Sequence, residues 1–406
     1  GKTWIMKTFG QQYFEKTAYV NFDNNARMKQ VFEGDLDIER LVLSISAETG
    51  VSIEAENTLI IFDEIQEVPK ALTSLKYFHE NAPQYAIVAA GSLLGVALHQ
   101  GTSFPVGKVD FLDLYPLNFR EFLCAMGEKQ FVSMLDSCDT QMVTVFKTKY
   151  IERLREYYFV GGMPEVVKDF SEKKDYNRVR AIQKNLINYY QQDFSKHAEI
   201  KLVPRLNLVW NSIPMQLAKE NKKYIYGQVR EGSRAKDFEL AIQWLLDCGL
   251  IHKVQRIQKP DLPLKAYIDF DSFKLFLVDI GLLIAMTDLD AKVIIEGNKI
   301  FTEFKGSLTE QYILQQLISD VGVIPYYYST QNSKGEIDFL VQGKTSVIPI
   351  EVKAEENLKA KSLKAFCEKY QPSYAVRTSM SDYREQDWMT NIPLYAIKWI
   401  ENYVNQ

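Results

Sequence analysis

Residues 59–66 read Leu-Ile-Ile-Phe-Asp-Glu-Ile-Gln, an apolar run that ends in two acids. A continuously apolar run of this length predicts a strand that is buried on both faces of a parallel sheet. Such a strand brings Asp63 and Glu64 to the carboxyl edge of the sheet, where open α/β sheets bind their ligands. There Asp63 can enter a magnesium shell and Glu64 can polarise an attacking water. The alternative is a strand that ends in a solvated, charged turn, which is common in α/β proteins.

The sequence around this strand alternates short apolar runs with helical patterns. This alternation is typical of a parallel sheet flanked by helices. We expect further strands at 18–22, 86–90 and 108–112 and an amphipathic helix at 72–81. A short helix is predicted at 4–9, with Gly10 at its end. The first part of the chain is therefore predicted to have an α/β fold.

The chain begins with Gly1-Lys2-Thr3, the last three residues of the phosphate-loop pattern G-x-x-x-x-G-K-[ST]. In that loop the lysine reaches the β and γ phosphates and the hydroxyl ligates Mg²⁺. The alternative is a chance match with no function. Ser92 follows the third predicted strand and can sense a γ phosphate or orient a water, although a single serine there is usually a turn or cap residue.

A second group of acids lies near the carboxyl terminus. Asp338 is followed thirteen residues later by Glu351 and then by Lys353, on two strand-like runs at 337–341 and 347–352. The period of two places Glu351 and Lys353 on one face, and pairing of the runs as a hairpin brings Asp338 to them. Together with Glu310 on the preceding predicted helix, these carboxylates suit Mg²⁺. The alternative is a solvated outer face of a strand.

The middle of the chain is predicted to be helical from about residue 121 to 202, with a sharp break at the Gly-Gly-Met-Pro stretch 161–164. A periodic helix at 234–248, with Ser233 as N-cap and Gly249 as left-handed C-terminal residue, is followed by strands at 251–257 and 274–278. This order suggests a small winged-helix-like unit. Its helix can read a DNA major groove, but its periodic apolar residues favour core packing.

These motifs together resemble a family of bacterial and archaeal AAA-type ATPases that carry a C-terminal domain similar to the PD-(D/E)xK nuclease fold. The resemblance rests on seven stretches: 1–3, 59–66, 91–92, 109–122 (VDFLDLYPLNFREF), 161–164, 234–251 and 276–283 (FLVDIGLL). It implies a P-loop NTPase parallel sheet, then helical and winged-helix-like regions, then an α/β restriction-endonuclease-like domain. The corresponding limits are 1–125, 126–205, 206–290 and 291–406.

The resemblance also implies a role for each candidate residue. In the first domain, Gly1, Lys2 and Thr3 would hold ATP and Mg²⁺, with Asp63 as the metal-shell acid, Glu64 as the catalytic base and Ser92 as the sensor. In the last domain, Asp338 and Glu351 would bind metal, Lys353 would assist the nucleophile, and Glu310 would orient a metal-bound water. The chain departs from the family at Gly107-Lys108, where Gly-Arg is usual. The first strand and the front of the phosphate loop are also missing, so weak ATP binding is expected.

Composition excludes several classes of protein. The 406 residues are 46% hydrophobic and 25% charged, which excludes wholesale disorder, and a net charge of −4 offers no global field for a polyanion. Four scattered cysteines and the lack of a long apolar segment predict a cytoplasmic protein without a membrane span.

We therefore expect an ATP-hydrolysing AAA-type protein coupled to a nuclease-like domain that acts on DNA, with a homo-oligomer as a further expectation. The alternative is an ATP-dependent switch that binds a protein partner and has a catalytically inactive nuclease-like domain.

Overall fold

The computed structural model describes residues 1–91, 107–219, 222–295, 302–330, 335–355 and 360–406. The chain divides into two compact units, Gly1–Leu114 and Tyr115–Gln406. The domain limits expected after residues 125, 205 and 290 stay a prediction, and each unit is described by itself.

Three described strands of the first unit form a parallel sheet in the order β1-β2-β3. They are β1 (Lys16–Asn21), β2 (Thr58–Asp63) and β3 (Ala86–Ala90). Every residue of β2 is buried, as its continuous apolar run predicts. The first three predicted strands are therefore confirmed, and β2 lies in the middle of the described sheet.

Helices cover both faces of this sheet. The described helices are α1 (Lys2–Tyr13), α2 (Ala26–Glu33), α3 (Ile38–Thr49) and α4 (Pro69–Asn81). The rings of Phe22, Phe32 and Phe62 pack edge to face on the side of α2, with centroids 5.3 to 5.6 Å apart. Met6 of α1 packs on the opposite face. Because side chains alternate along a strand, β2 contributes to both cores.

Two predictions for this unit are wrong. Gly10 does not end the first helix, which continues to Tyr13, because its missing side chain allows close packing: a Cβ there would lie 2.6 Å from Thr17 Oγ1. The stretch 108–112 forms no strand. Phe111 and the adjacent Leu112 are both exposed, Leu112 to 95%, so this stretch presents no single apolar face to a sheet.

The second unit begins with helices, as predicted. They are α5 (Phe119–Ala125), α6 (Lys129–Asp136), α7 (Thr140–Val145), α8 (Lys147–Val160), α9 (Pro164–Lys173), α10 (Tyr176–His197), α11 (Val203–Leu217), α12 (Tyr226–Val229) and α13 (Ala235–Asp247). The expected break between helices at 161–164 is confirmed. Gly249 is left-handed with φ 67°, but Arg234 rather than Ser233 is the N-cap of α13, and its N–H donates to Asp237 Oδ2 over 2.8 Å.

Among the described residues, eight strands of the second unit form one mixed sheet in the order β10-β11-β9-β8-β7-β6-β4-β5. The strands are β4 (Ile251–Ile257), β5 (Ile268–Leu277), β6 (Tyr326–Ser329), β7 (Glu336–Gln342), β8 (Val347–Val352), β9 (Val376–Ser379), β10 (Arg384–Gln386) and β11 (Met389–Pro393). The remaining α-helices described are α14 (Ile280–Met286), α15 (Ala291–Ile295), α16 (Thr302–Gln316), α17 (Lys361–Tyr370) and α18 (Glu401–Val404).

The two strands of the predicted winged-helix-like unit do not form a sheet of their own. β4 and β5 pair with each other as an antiparallel hairpin, as expected. β4 also pairs in parallel with β6, so that Arg256 lies opposite Tyr327. One sheet therefore extends across the limit that was expected after residue 290.

The Gly-Gly-Met-Pro and Val-Asp-Ile-Gly motifs meet at one buried carboxylate. The N–H of Gly162 donates to Asp279 Oδ2 over 2.6 Å, and the N–H of Leu282 donates to Oδ1 over 3.0 Å. A Cβ on Gly162 would lie 2.1 Å from the backbone oxygen of Leu117. Burial raises the pKa of Asp279 above its ordinary value. These motifs therefore hold the helical region to α14.

Candidate functional site

The first candidate site lies where β2 ends. Asp63 is its last residue and is 4% exposed. Its Oδ2 accepts hydrogen bonds from the hydroxyls of Thr3 (2.7 Å) and Tyr19 (2.9 Å), and Oδ1 accepts one from the N–H of Glu64 (3.2 Å). Thr3 is in the first turn of α1, so this helix begins beside the carboxyl edge of the sheet. The structure thus brings together the two sequence motifs that the phosphate-loop hypothesis requires.

Lys2 lies at the same edge. Its ammonium donates to the backbone oxygen of Gly91, just after β3, over 2.6 Å. Burial lowers the pKa of Lys2 below its ordinary value, and the carboxylates of Glu64 and Asp63 oppose that shift. Gly1 is exposed. The predicted sensor Ser92 lies outside the described residues.

Glu64 has an unusual backbone conformation. With φ 51° and ψ 44° it is left-handed, a conformation that costs a non-glycine residue about 1 kcal/mol or more. The side-chain amide of Gln66 donates to Glu64 Oε2 over 2.6 Å. The turn from β2 into the short helix Ile65–Glu67 therefore holds the predicted base in one place.

Sequence reasoning missed Tyr19 and Gln66 at this site. Burial and the hydrogen bond to Asp63 raise the pKa of Tyr19 to about 12, so its hydroxyl keeps its proton and donates. Its position near the carboxyl end of a predicted strand was a sign of this role. β1 pairs with β2 so that Asn21 lies opposite Asp63, and Tyr19 is therefore close to the acid pair. A polar residue close to the carboxyl end of an apolar strand could have been interpreted as a candidate site residue, as Asp63 was.

The donor set of this edge fits a magnesium nucleotide. It combines the Lys2 ammonium, the hydroxyls of Thr3 and Tyr19, and the Asp63 carboxylate, whose hydrogen-bond donors among the described residues are all neutral. Hydroxyl and carboxylate oxygens are the ligands that Mg²⁺ prefers. Lys2, Thr3 and Asp63 could hold the nucleotide and metal, and Glu64 lies next to them.

The second candidate site surrounds Glu310, on α16. Glu310 is 5% exposed, and its Oε1 forms an ion pair with the Lys222 ammonium. The Lys274 ammonium lies 3.6 Å from Oε2 and also pairs with Glu336. Asp338 is the neighbouring acid, and each of the two carboxyls influences the pKa of the other. Burial and the neighbouring Glu310 raise the pKa of Asp338 to about 8, as expected for crowded carboxylates, whereas the two lysines outweigh burial and lower the pKa of Glu310.

The contacts of Glu351 are with residues other than those around Glu310. Its Oε1 pairs with Lys353 over 2.6 Å, and its Oε2 accepts from the N–H of Leu363, in the first turn of α17, over 2.9 Å. Asp338 Oδ2 accepts from the N–H of Val352 over 2.7 Å. β7 and β8 pair as an antiparallel hairpin, as predicted. In the ranges that the structure describes, however, no three His, Cys, Asp or Glu side chains form a group that could hold a metal ion.

Sequence reasoning also missed Lys222 and Lys274. Lys274 is completely buried. Although burial alone lowers its pKa, the carboxylates of Glu310, Glu336 and Asp338 hold the pKa of Lys274 above its ordinary value. The sequence did contain a sign of this role. Lys274 is a single lysine within the apolar strand pattern of β5, and such a residue is rarely buried without a charged partner. Lys222 had no comparable signal.

The periodic apolar residues of α13 are core residues. Phe238, Ile242 and Leu245 are buried, which confirms the packing interpretation. The exposed face of this helix carries Lys236 and Glu239, so its charges are mixed. Along the described chain, no helix is both long enough and apolar enough to cross a membrane.

Three family models match the chain. Residues 1–123 match an AAA domain, residues 151–293 match a domain of unknown function (DUF8612), and residues 305–397 match a second domain of unknown function (DUF4143). No curated protein and no solved structure matches. The N-terminal region, with its parallel sheet and its Lys2–Thr3–Asp63 arrangement, is thus similar to an AAA domain, as the resemblance implied.

Proposed function

We propose that the first unit binds ATP with Mg²⁺ and hydrolyses it. The observation that carries this proposal is the hydrogen bond of 2.7 Å between Thr3 and the buried Asp63 at the carboxyl edge of β2. A hydroxyl from the start of a helix and a carboxylate from the end of a neighbouring strand are the two groups that hold Mg²⁺ in phosphate-loop proteins. When bound, the metal neutralises charge that develops on the transferred phosphoryl group.

Lys2 is the proposed phosphate ligand. In the structure its ammonium donates to a neutral backbone oxygen, that of Gly91. A phosphate oxygen carries a full negative charge and forms a stronger, charge-assisted hydrogen bond than a neutral carbonyl. Lys2 would therefore exchange Gly91 for the nucleotide, with the N–H of Gly1 beside it.

Glu64 is the proposed base. It follows the metal-shell acid directly, and its carboxylate is held by Gln66. From this position it would orient a water and accept its proton as the water attacks the terminal phosphorus, while the leaving diphosphate oxygen takes the negative charge. Ser92 stays a prediction as sensor.

Nucleotide binding by the full-length protein tests this proposal. Isothermal titration with ATP and Mg²⁺ should show binding that Lys2→Ala weakens by about 10-fold or more, since a charge-assisted hydrogen bond is lost. Lys16→Ala is the matched control, because Lys16 lies in the same unit and pairs with the exposed Glu54 over 2.6 Å. Equal affinities for the wild type and Lys2→Ala would place the nucleotide elsewhere and overturn the proposal.

For the second unit we propose that its C-terminal α/β region acts in binding, as the part of an ATP-dependent switch that contacts a protein partner. The contacts of Glu310 with two lysines and of Glu351 with Lys353 favour this role over metal-dependent cleavage of DNA. A nuclease is the competing prediction. Incubating the protein with DNA or RNA and Mn²⁺ tests it directly, and cleavage that Asp338→Asn abolishes would establish the nuclease.

A further inference from the structure

Glu310 is surrounded by cations that belong to the chain itself. Its two carboxylate oxygens face different ammonium groups, that of Lys222 at Oε1 and that of Lys274 at Oε2. Lys274 is completely buried, and Lys222 is 13% exposed. Two ammonium groups carry the same total charge as one divalent cation. The charge that a metal would supply at Glu310 is therefore already present.

Lys274 is held in this place by three contacts. It pairs with Glu336 as well as with Glu310, and its ammonium lies 4.9 Å from the centre of the Tyr327 ring. It belongs to β5, which joins the sheet through β4. Since side chains in a packed core occupy single rotamers, Lys274 cannot swing aside at little cost to admit a metal.

Two of the carboxylates that a metal would need, those of Glu351 and Asp338, already accept hydrogen bonds from backbone N–H groups. Glu351 is tied to Lys353 and to the N–H of Leu363 at the start of α17. Asp338 accepts from the N–H of Val352. A divalent cation near Glu310 would also lie close to two ammonium groups, and repulsion between like charges is strong where water is excluded. The residues therefore do not fit the metal that the nuclease-like resemblance implies.

We propose that Lys222 and Lys274 take the place of a divalent cation beside Glu310 and Asp338, so that this acidic cluster is complete without metal. The cluster has a second consequence for the organisation of the chain. Both lysines lie in the region 151–293, and both acids lie in the region 305–397, which different family models match. Ion pairs between the two regions join them into one structural unit.

Metal binding by the full-length protein is the first test. The titrations use Mn²⁺ alone, without nucleotide, and an Asp63→Asn background so that the first unit does not contribute. We expect Mn²⁺ and EDTA each to change the melting temperature by less than about 1 °C, because a ligand that does not bind the folded state does not stabilise it. Mn²⁺ binding that is lost on Glu310→Gln would overturn the proposal.

Removal of a lysine is the second test. Lys274→Met leaves buried carboxylates without their cation, so the melting temperature should fall by roughly 5 to 15 °C, and Mn²⁺ should restore part of the loss. Lys184→Met is the matched control, because Lys184 forms an exposed pair with Asp288 over 2.7 Å in the same unit. If Lys274→Met does not fold, the partly exposed Lys222→Met gives the same comparison, and combining it with Glu310→Gln should recover stability.

A melting temperature that neither lysine variant lowers would also overturn the proposal, because the ammonium groups would then not neutralise the cluster. The proposal does not depend on the nucleotide site. Failure of ATP binding would remove the first proposed function and leave these results unchanged.

Discussion

Asp63, at the end of β2, and Glu310, on α16, are both buried carboxylates, with exposed fractions of 4% and 5%, but different groups surround them. Asp63 receives hydrogen bonds from two hydroxyls and one backbone N–H, all of them neutral. Glu310 faces two ammonium groups. Neutral donors orient a carboxylate and leave its charge available to a cation, whereas ammonium groups cancel that charge.

Acidic residues with metal-like spacing are therefore not sufficient to define a metal site. The groups that neutralise each acid decide whether a cation has anything to bind. In the first unit Lys2, at the same edge of the sheet, donates to a backbone oxygen and can turn to a phosphate. In the second unit the lysines are bound to the acids themselves.

The largest expected effect is on catalysis in the first unit. Glu64→Gln should keep ATP binding and reduce the rate of hydrolysis on the order of 10² to 10⁴-fold, because a general base is lost and the amide can still accept the hydrogen bond from Gln66. A phosphate-release assay measures it. Glu67→Gln, three residues further along the chain and paired with Lys29 over 3.9 Å, is the matched control. Hydrolysis at the wild-type rate by Glu64→Gln would show that another group is the base.

The second-largest expected effect is on the pH dependence of stability, and it arises in the acidic cluster of Glu310 and Asp338. The pKa of Asp338 is raised to about 8 by burial and by Glu310, so the folded state holds this proton more tightly than the unfolded state. Between about pH 4 and pH 8 the unfolded state loses the proton first, and stability should fall as the pH rises. At about 1.4 kcal/mol for each pKa unit, the effect is on the order of a few kcal/mol.

Asp338→Asn cannot titrate, and its amide oxygen can still accept the hydrogen bond from the N–H of Val352. Urea denaturation at several pH values should therefore show a flatter pH dependence for this variant than for the wild type. Identical pH dependences for the wild type and the variant would mean that Asp338 and Glu310 share their charge differently. The contrast between this cluster and the site of Asp63 would then be weaker.

A third, smaller effect should appear at Glu351. Glu351→Gln keeps the hydrogen bond to Leu363 at the start of α17 but loses the ion pair with Lys353, and we expect a loss of about 1 to 2 kcal/mol of unfolding free energy. Glu355→Gln, which breaks the exposed pair with Lys305, should change stability by less than about 0.5 kcal/mol. Mn²⁺ should not alter either result. Stabilisation of the wild type by Mn²⁺ that Glu351→Gln removes would contradict this expectation.

The smallest effect should come from Tyr19. Tyr19→Phe removes one of the two hydroxyl donors to Asp63 and should cost about 0.5 to 1.5 kcal/mol, seen as a few-fold weaker binding of ATP with Mg²⁺. Tyr77→Phe, in the same unit at the half-exposed surface, is the control and should bind ATP as the wild type does. An unchanged affinity for Tyr19→Phe would show that Thr3 alone is enough to orient the carboxylate.

Local pattern was sufficient to predict several parts of this protein. The apolar run before Asp63 predicted β2 because a central strand of a parallel sheet must be apolar on both faces. The same logic located β1, β3 and the hairpin of β7 and β8. It failed at 108–112, where adjacent apolar residues are exposed, and at Gly10, which allows close packing inside a helix.

The sequence by itself determined which acids end which strands, because a period of two and an apolar run are properties of neighbouring residues. Only the tertiary structure decided what neutralises them. Lys222 and Lys274 are 88 and 36 residues away from Glu310, and the local pattern does not say which acid so remote in the chain a lysine will meet. Thr3 and Asp63 are also far apart, 60 residues, but there the two motifs, Gly-Lys-Thr and an apolar strand that ends in acids, together predicted their meeting. Electrostatic energy depends on distance in space, so folding decides which charges meet.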